Sequence, residues 1–327
     1  MERLGFLDIA KGIGILLVIL GHLLPAGSGY DWIYSFHLAL FFIISGFIIC
    51  RKPPEQKKIV RNLLVPYLFW STIAMFYEMI IDPDLALANL KDDIYRIVTL
   101  RGVGPTWFLG ILFLTEVIIV KIDCRKNRRK ILVSLFVFLG LASGISLAMS
   151  SLATETGTLL FVVANILFKA TWALSFEFFG MLLYTFYEKV PIKKTILIII
   201  FAVTFMLSMF GPLINGSVSF HWLRANNPLL FFLFGVIGSL MVLCLSRVIE
   251  KSVVLENIGR NSLGIMVLHY KILPIWTLCF YIVDLLSIPN ESLNVFIRLL
   301  LIAISSWAIS ALIMNRFPIL FGKKASA

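Results

Sequence analysis

A succession of long apolar segments restricts the fold of this chain more than any other feature, because each is close to the ~20 residues that a helix needs to cross a membrane. Of the 327 residues, 60% are hydrophobic and 14% are charged, whereas a soluble domain carries roughly 25% charged residues. The sequence therefore predicts an all-α, polytopic integral membrane protein. Its ten predicted spans lie near residues 12–26, 33–50, 63–81, 105–121, 131–150, 172–188, 195–211, 228–246, 262–284 and 293–314.

The basic residues predict the orientation of these spans, because Lys and Arg accumulate in cytoplasmic segments. With a cytoplasmic N-terminus, the inner segments hold 22 of the 29 Lys and Arg residues, the outer segments hold five and the spans hold two. Segments rich in Lys and Arg alternate with segments poor in them along the chain. This alternation predicts ten spans with both termini in the cytoplasm. The net charge of +11 is thus a signal of topology, and no nucleic-acid partner is expected.

A basic N-terminus before an apolar run also fits a cleavable signal peptide. Because the run contains His22 and a second span follows at once, an uncleaved first helix is favoured. Residues 1–327 are then expected to form a single transmembrane domain with no separate soluble domain. The outer segment 82–104 has an amphipathic pattern and is expected to form a short surface helix or lid. No metal site is expected, since the cysteines are scattered singly: Cys50, Cys124, Cys244 and Cys279.

The first span carries a lysine and a histidine on one helix face. Lys11 and His22 are eleven residues apart, which on an α-helix separates them by ~20° in azimuth and ~16 Å along the axis. Lys11 is therefore expected at the cytoplasmic mouth and His22 in the outer half of the bilayer. Polar residues inside a span are costly and mark functional sites, so His22 is a candidate catalytic residue.

A second histidine is expected at the same depth. The loop between the first two spans centres near residues 29 and 30, so His22 and His37 lie equally far from the turn. Two imidazoles at one depth in otherwise apolar helices favour a shared catalytic site, with His37 as its second member. The alternative for either histidine is a structural hydrogen bond between helices.

Other polar residues in the spans are candidates for lining a cavity or contacting an acceptor. Trp107 lies near the outer end of span four, where an aromatic residue at the membrane interface is the alternative. Glu177 is expected in the outer part of span six, as a counter-ion of a histidine or of Arg298. His269 and Lys271 are expected ~10–15 Å into span nine, and a structural role is the alternative for each.

Two basic residues stand on the cytoplasmic side before the third span. Lys58 and Arg61 are three residues apart, so they share a helix face if the helix begins early. Basic side chains at a pore mouth suit a phosphate-bearing ligand. Since every inner segment is basic, the alternative is that this pair reflects topology alone.

These residues fall in five motifs that resemble the acyltransferase-3 family of bacterial membrane acyltransferases, in particular its branch related to fucose 4-O-acetylase. In order along nearly the whole chain, the motifs are LDIAKGIGILLVILGH (7–22), FHLALFFIISGF (36–47), KIVRNLLVPY (58–67), TWFLGILF (106–113) and IGRNSLGIMVLH (258–269). The family pattern of a basic residue, ten others and a histidine falls on Lys11 and His22, with lysine where many members carry arginine. The family's basic-x-x-Arg motif falls on Lys58 and Arg61.

The resemblance implies transfer of an acyl group, usually acetyl from acetyl-CoA, to a hydroxyl of an envelope glycan or glycolipid in the bacterial cytoplasmic membrane. Acyl-CoA is then a substrate, and no permanently bound cofactor is expected. Its phosphates would lie among Lys11, Lys58 and Arg61, and its pantetheine arm would run along the first helix to His22. A neutral imidazole can deprotonate a sugar hydroxyl or itself attack the thioester, so direct transfer and an acyl-histidine intermediate both fit.

Two other functional classes share part of this pattern. A transporter or flippase of an envelope lipid or glycan intermediate also needs buried polar residues and basic inner loops. Such a protein has no particular need for a basic residue and a histidine on one helix face at two depths, and the span spacing has no inverted repeat. A catalytically silent membrane sensor or assembly partner is the third possibility.

Overall fold

The structure is a computed structural model that describes residues 3–81, 83–123, 126–151, 158–270 and 272–323. Within these ranges the chain is helical, apart from short connections and one extended bridge between Ser219 and Arg224. The prediction of an all-α polytopic membrane protein is confirmed.

Sixteen α-helices follow one another in the described residues. They are α1 (Gly5–Leu23), α2 (Ser28–Tyr34), α3 (His37–Arg51), α4 (Gln56–Ile59), α5 (Val65–Ile81), α6 (Pro83–Val98), α7 (Trp107–Ile119), α8 (Arg128–Ser151), α9 (Leu159–Tyr187), α10 (Lys194–Ser208), α11 (Phe210–Asn215), α12 (Pro228–Ile249), α13 (Val253–Arg260), α14 (Ser262–Leu268), α15 (Ile275–Leu285) and α16 (Glu291–Arg316). A π-helical turn (Val60–Leu64) joins α4 to α5, and 3₁₀ turns precede α7 (Gly104–Thr106) and follow α16 (Pro318–Phe321).

Ten apolar helical segments coincide in order with the ten predicted spans. Eight of them, among the described residues, are long and apolar enough to cross a membrane: Gly5–Leu23, Ser28–Arg51, Gln56–Ile81, Arg128–Met149, Leu159–Tyr187, Lys194–Asn215, Pro228–Ile249 and Glu291–Arg316. Two are shorter, Gly104–Ile119 and Ile275–Leu285. The amphipathic outer segment is also helical, as α6, in agreement with the expected surface helix.

The ninth span is not one continuous helix, so that part of the prediction is wrong. The chain leaves helical structure after α14 and resumes it only in α15. Pro274 explains the break, because proline has no N–H to donate and disfavours a helical conformation in the residue before it. His269 therefore lies at the end of a short helix and not within a long one.

Two other spans begin earlier than predicted. α1 begins at Gly5, so Lys11 lies about 9 Å along the helix, in its second turn, and not at its first residue. α9 begins at Leu159, because the apolar stretch before the predicted sixth span continues into it without a break. This second shift changes the expected depth of Glu177.

The chain divides into two compact units. The first unit comprises Met1–Pro54 and Leu114–Gly259, and the second comprises Glu55–Phe113 and Arg260–Ala327. Within the first unit, α9 packs against α3 and α8, α12 packs against α1, α3 and α10, and α13 lies against α1. Within the second unit, α5 packs against α6, and α16 packs against α14 and α15.

Glycines allow α3 and α9 to approach backbone to backbone. A Cβ atom built on Gly46 would lie 2.0 Å from the carbonyl oxygen of Glu177, and one built on Gly180 would lie 2.0 Å from that of Ile43. Real Cβ atoms essentially never come within 3.0 Å of another atom. Small residues at such positions are typical of packed membrane helices, and here they fix the helix that carries His37.

Candidate active site

One helix carries both Lys11, the predicted phosphate contact, and His22, the predicted catalytic residue. α1 is continuous from Gly5 to Leu23 and carries Lys11 in its second turn and His22 in its last turn. Eleven residues of helical rise place them ~16 Å apart along the axis. The spacing expected from the sequence is therefore preserved on a single rigid element.

Lys11 is ion-paired with an acidic residue that the sequence analysis did not single out. Its Nζ lies 2.8 Å from Oδ1 of Asp8, and Asp8 also accepts hydrogen bonds from Nε and Nη2 of Arg3. The Asp8 side chain is only 3% exposed, against 60% for Arg3 and 21% for Lys11. Asp8 thus orients Lys11, whose ammonium has three N–H donors. The i,i+3 spacing of Asp8 and Lys11 is the sequence signal that reveals this pair.

Helix α13 closes tightly over this charged cluster. A Cβ atom on Gly259 would lie 1.8 Å from the carbonyl oxygen of Asp8, and one on Gly12 would lie 2.3 Å from that of Leu255. Only glycine permits both approaches, so α13 holds the backbone of α1 where Asp8 and Lys11 project from it.

The two histidines predicted at one depth both pack against the ring of Tyr34. The Tyr34 ring centroid lies 4.8 Å from that of His37 and 6.5 Å from that of His22, with interplanar angles of 60° and 85°. Gly21 makes room for this ring, because a Cβ there would lie 3.1 Å from Cε2 of Tyr34. The tyrosine also stacks on Tyr30 at 3.9 Å. His22 and His37 therefore belong to one aromatic cluster.

A backbone hydrogen bond fixes the tautomer of His37. Its Nδ1 lies 2.8 Å from the carbonyl oxygen of Ile33, and a carbonyl oxygen only accepts, so Nδ1 must carry the proton. In the neutral ring, Nε2 then carries the basic lone pair. His37 is 5% exposed and is the first residue of α3, so the orientation of its ring is well defined.

Two carboxyl side chains of the same unit each accept a hydrogen bond from a hydroxyl group. Ser45 Oγ donates to Glu116 Oε1 at 2.7 Å, and Thr115 Oγ1 donates to Glu177 Oε1 at 3.0 Å. Glu177 is completely buried, and its Oε2 has no hydrogen-bond partner among the described residues. Glu116 escaped the sequence analysis, although a single glutamate in an apolar stretch signals it.

The expectation that Glu177 lies in the outer part of its span is wrong. Because α9 begins at Leu159, Glu177 is eighteen residues, or about 27 Å, from the start of that helix. Its backbone contacts Gly46, which is nine residues, or about 14 Å, along α3 from His37. Glu177 therefore lies at a different depth from the histidines.

In the second unit, Lys58 and Arg61 flank an irregular turn. α4 begins at Gln56, so the early helix start that this pair requires is present. The following turn is π-helical, with the N–H of Val65 bonded to the carbonyl of Val60. Pro66 explains the wide turn, since it has no N–H to continue the regular pattern. Lys58 is exposed and Arg61 is half-buried.

The other two candidates of this unit differ in character. Trp107 is the first residue of α7 and only 8% exposed, so its ring packs within the protein and not at a lipid interface. His269 is completely buried, with its Nδ1 2.8 Å from the carbonyl oxygen of Met266, which fits the structural alternative. Lys271 lies outside the described residues.

Arg298, expected as a partner of Glu177, has a different one. Its Nη2 is paired with Asp284, and its guanidinium carbon lies 3.9 Å from the ring centroid of Phe280. The counter-ion role expected for Glu177 toward Arg298 is therefore replaced by a local ion pair and a cation–π contact.

No group of three or more His, Cys, Asp or Glu side chains in the described part of the chain is arranged to hold a metal ion. Cys50, Cys244 and Cys279 are buried and form no disulfide there, and Cys124 lies outside it.

Comparison with known proteins assigns the family. The model of the acyltransferase-3 family, described as an acyltransferase domain, matches residues 4–315. Nodulation protein NolL of Mesorhizobium japonicum (strain LMG 29417 / CECT 9101 / MAFF 303099) is 35% identical over 130 residues, which cover 34% of this chain and 34% of that protein. The match thus spans about a third of the relative's length. No solved structure matches. With a family match over nearly its whole length and a series of apolar helices, this chain is a multi-pass membrane protein that belongs to the acyltransferase-3 family.

Proposed function

We propose that this acyltransferase moves an acetyl group from cytoplasmic acetyl-CoA to a hydroxyl of an envelope glycan or glycolipid, in the cytoplasmic membrane of a bacterium. The observation that carries the proposal is the single helix α1, with ion-paired Lys11 in its second turn and His22 in its last. A cation that contacts phosphates and an imidazole that meets a thioester are then ~16 Å apart, a separation that suits an extended pantetheine arm.

The aromatic cluster supports the chemical step. In direct transfer, a neutral imidazole accepts the hydroxyl proton while the acceptor oxygen attacks the thioester carbonyl. The C–S bond then breaks, and the CoA thiolate takes the proton from the imidazolium. His22 is the proposed base, and His37, whose Nδ1–H is held by Ile33 so that its Nε2 carries the lone pair, is the proposed second imidazole of the site. In the covalent alternative, a ring nitrogen of His22 attacks the thioester carbonyl, the C–S bond breaks, and the CoA thiolate takes the imidazole proton. The acceptor hydroxyl then attacks the acyl-histidine, and the released imidazole takes up the hydroxyl proton.

Basic residues of each unit are proposed as contacts of the donor phosphates. In the first unit, Asp8 holds Lys11 in place while two of its three N–H donors stay available. In the second, exposed Lys58 and half-buried Arg61 precede the third span. The concentration of 22 of the 29 Lys and Arg residues in the predicted inner segments supports a cytoplasmic donor site. Trp107, whose side chain is buried in the second unit, is the proposed acceptor contact.

The purified protein with acetyl-CoA labelled in the acetyl group tests this proposal. We expect label to move to a glycan or glycolipid fraction of the bacterial envelope, with release of CoA. The matched control is the same protein with CoA labelled in the adenine, from which no label should move. Movement of the glycan across a vesicle membrane without acylation would favour the transporter alternative, and retention of all label in acetyl-CoA would contradict the proposal.

The proposed sidedness has a separate test. His22 is ~16 Å from Lys11 toward the predicted outer face, so the donor enters from the cytoplasm and the acceptor from the outer side. Right-side-out vesicles loaded with acetyl-CoA should acylate a glycan supplied outside. Acylation only when both substrates share the inner compartment would refute the two-sided arrangement and leave the assignment of His22 standing.

A further inference from the structure

The segment Thr99–Thr106, between α6 and α7, has an unusual backbone. Leu100, Gly102 and Gly104 have positive φ angles of 59°, 63° and 58°. Such angles are rare for a residue as bulky as leucine. We name this segment the 99–106 loop; by the predicted topology it belongs to the outer side of the membrane.

Buried hydrogen bonds hold the loop in this shape. The hydroxyl of Tyr67 accepts from the N–H of Gly102 at 3.1 Å and donates to the carbonyl of Ile97 at 2.8 Å. Thr106 Oγ1 accepts from the N–H of Val103 at 3.0 Å and lies 2.7 Å from Ser71 Oγ. Side chains of α5 thus fix both halves of the loop, which is preorganised and not a freely moving connection.

Arg101 is the charged residue of this loop, and its contacts leave part of the guanidinium unused. Nε donates to Thr99 Oγ1 at 3.1 Å, and the guanidinium carbon lies 5.1 Å from the ring centroid of Tyr95. Nη2 is buried and has no hydrogen-bond partner among the described residues. Burial also lowers the pKa of Arg101 from its ordinary value. The cation is therefore held in position and desolvated without full compensation.

Arg96, five residues before Arg101, is a nearby arginine with a purely structural set of contacts. It lies on α6 with Nη2 2.6 Å from Asp92 and Nη1 3.7 Å from Asp93, and its side chain is 47% exposed. Arg101 forms no ion pair of this kind in the described part of the chain, although the negative charge of Asp92 offsets part of its desolvation. A buried charged donor without an acceptor is destabilising, and the Arg101 side chain as a whole is only half-buried. A ligand that reaches the guanidinium from outside the chain would therefore supply the missing acceptor.

We propose that Arg101 anchors an oxyanion site in the 99–106 loop, which takes a phosphate or carboxylate group carried by the acyl acceptor. This inference rests on the proposed function and narrows it to an anionic acceptor. A phosphate would come from a lipid-linked sugar and a carboxylate from an acidic sugar. Guanidinium suits both, because it donates two parallel hydrogen bonds to either group. The cation–π contact with Tyr95 explains the position of the guanidinium carbon, but it gives Nη2 no acceptor.

Binding of small anions to the purified full chain in neutral detergent tests the site without an acylation assay. The probes are inorganic phosphate and glucuronate, titrated at constant ionic strength against chloride, with the shift in melting temperature as the readout. We expect at least one probe to stabilise the parent protein, and R101Q to weaken that binding about tenfold or more. R96Q is the matched control and should bind like the parent. The probe that stabilises identifies the source of the anion.

The opposite results would overturn the proposal. In one, neither probe raises the melting temperature of the parent protein. In the other, R101Q and R96Q respond to the probes alike. Should R101Q fail to fold, R101K keeps the charge and loses the planar fork, so we expect it to bind at least about threefold more weakly. R101K with parental affinity would exclude the guanidinium as the anchor. Anion binding without acyl transfer would instead contradict only the proposed function.

Discussion

Replacement of Gly46 by alanine should destabilise the protein by separating α3 from α9. The new Cβ would lie 2.0 Å from the carbonyl oxygen of Glu177, and tolerable contacts begin at 3.0 Å, so the backbones must move apart by at least 1 Å. Gly180 holds the same two helices equally closely, which prevents a local adjustment. Overpacking costs about 3 kcal/mol at the upper end of the usual range. Alanine regains about 1 kcal/mol as the better helix former, which leaves a loss of about 2 kcal/mol.

Thermal unfolding of the purified protein in detergent measures this effect. Gly46→Ala should lower Tm by several degrees. Gly144→Ala is the matched control, because nothing lies within 4 Å of a Cβ at that position of α8; helix propensity alone should leave its Tm unchanged or raised. A Gly46→Ala protein that unfolds at or above the parental Tm would refute the backbone-to-backbone packing of α3 and α9.

Three further substitutions test the charged and polar groups. Asp8→Asn should raise KM for acetyl-CoA with little change in kcat, because Lys11 loses the partner that orients it, and Asp8→Glu should restore part of the loss; equal KM for all three proteins would contradict this. Ser45→Ala should lower stability by about 1–3 kcal/mol, since its carboxyl partner loses a donor, whereas Ser143→Ala, bonded only within its own helix, should change Tm less. Arg61→Ala should weaken donor binding about tenfold, and normal acetyl-CoA binding would make Arg61 a topology residue only.

The features that could be predicted from the sequence depend on one helix at a time. The 11-residue spacing of Lys11 and His22 needs only the helical repeat. The equal depth predicted for His22 and His37 assumed a loop centred near residues 29 and 30, whereas those residues lie in helix α2. Apolar length and composition likewise located the apolar segments in their order, but not the break within the ninth. None of these inferences requires knowledge of which helices pack together.

The features that could not be predicted depend on rotation and packing. Tyr34 lies three residues before His37, but its contact with both imidazoles follows from how α1, α2 and α3 pack against one another. The depth of Glu177 depends on the true start of α9, which a continuous apolar stretch does not mark. The Glu116–Ser45 hydrogen bond joins residues 71 positions apart, so only the folded chain reveals it.

The break in the ninth span shows a different failure. Its average apolar character is high, and a window average hides Pro274, which ends helical structure locally. Asp8 was missed for another reason. A charged residue near the end of a span is ordinarily attributed to topology and not to a specific contact. In the structure it is buried between Arg3 and Lys11, which gives it a specific positioning role.

Steady-state kinetics of CoA release, with the purified protein, acetyl-CoA and an envelope glycan extract, measures whether the imidazole of His22 takes part in acyl transfer. We expect His22→Ala to lower kcat by about 10²–10⁴-fold while the protein stays folded at the parental Tm, and Lys11→Ala chiefly to raise KM for acetyl-CoA. His221→Ala, in an exposed loop, is the matched histidine control and should keep the parental kcat. A His22→Ala protein with kcat within a few-fold of the parent would contradict the claim that the imidazole at the end of α1 performs the acyl transfer.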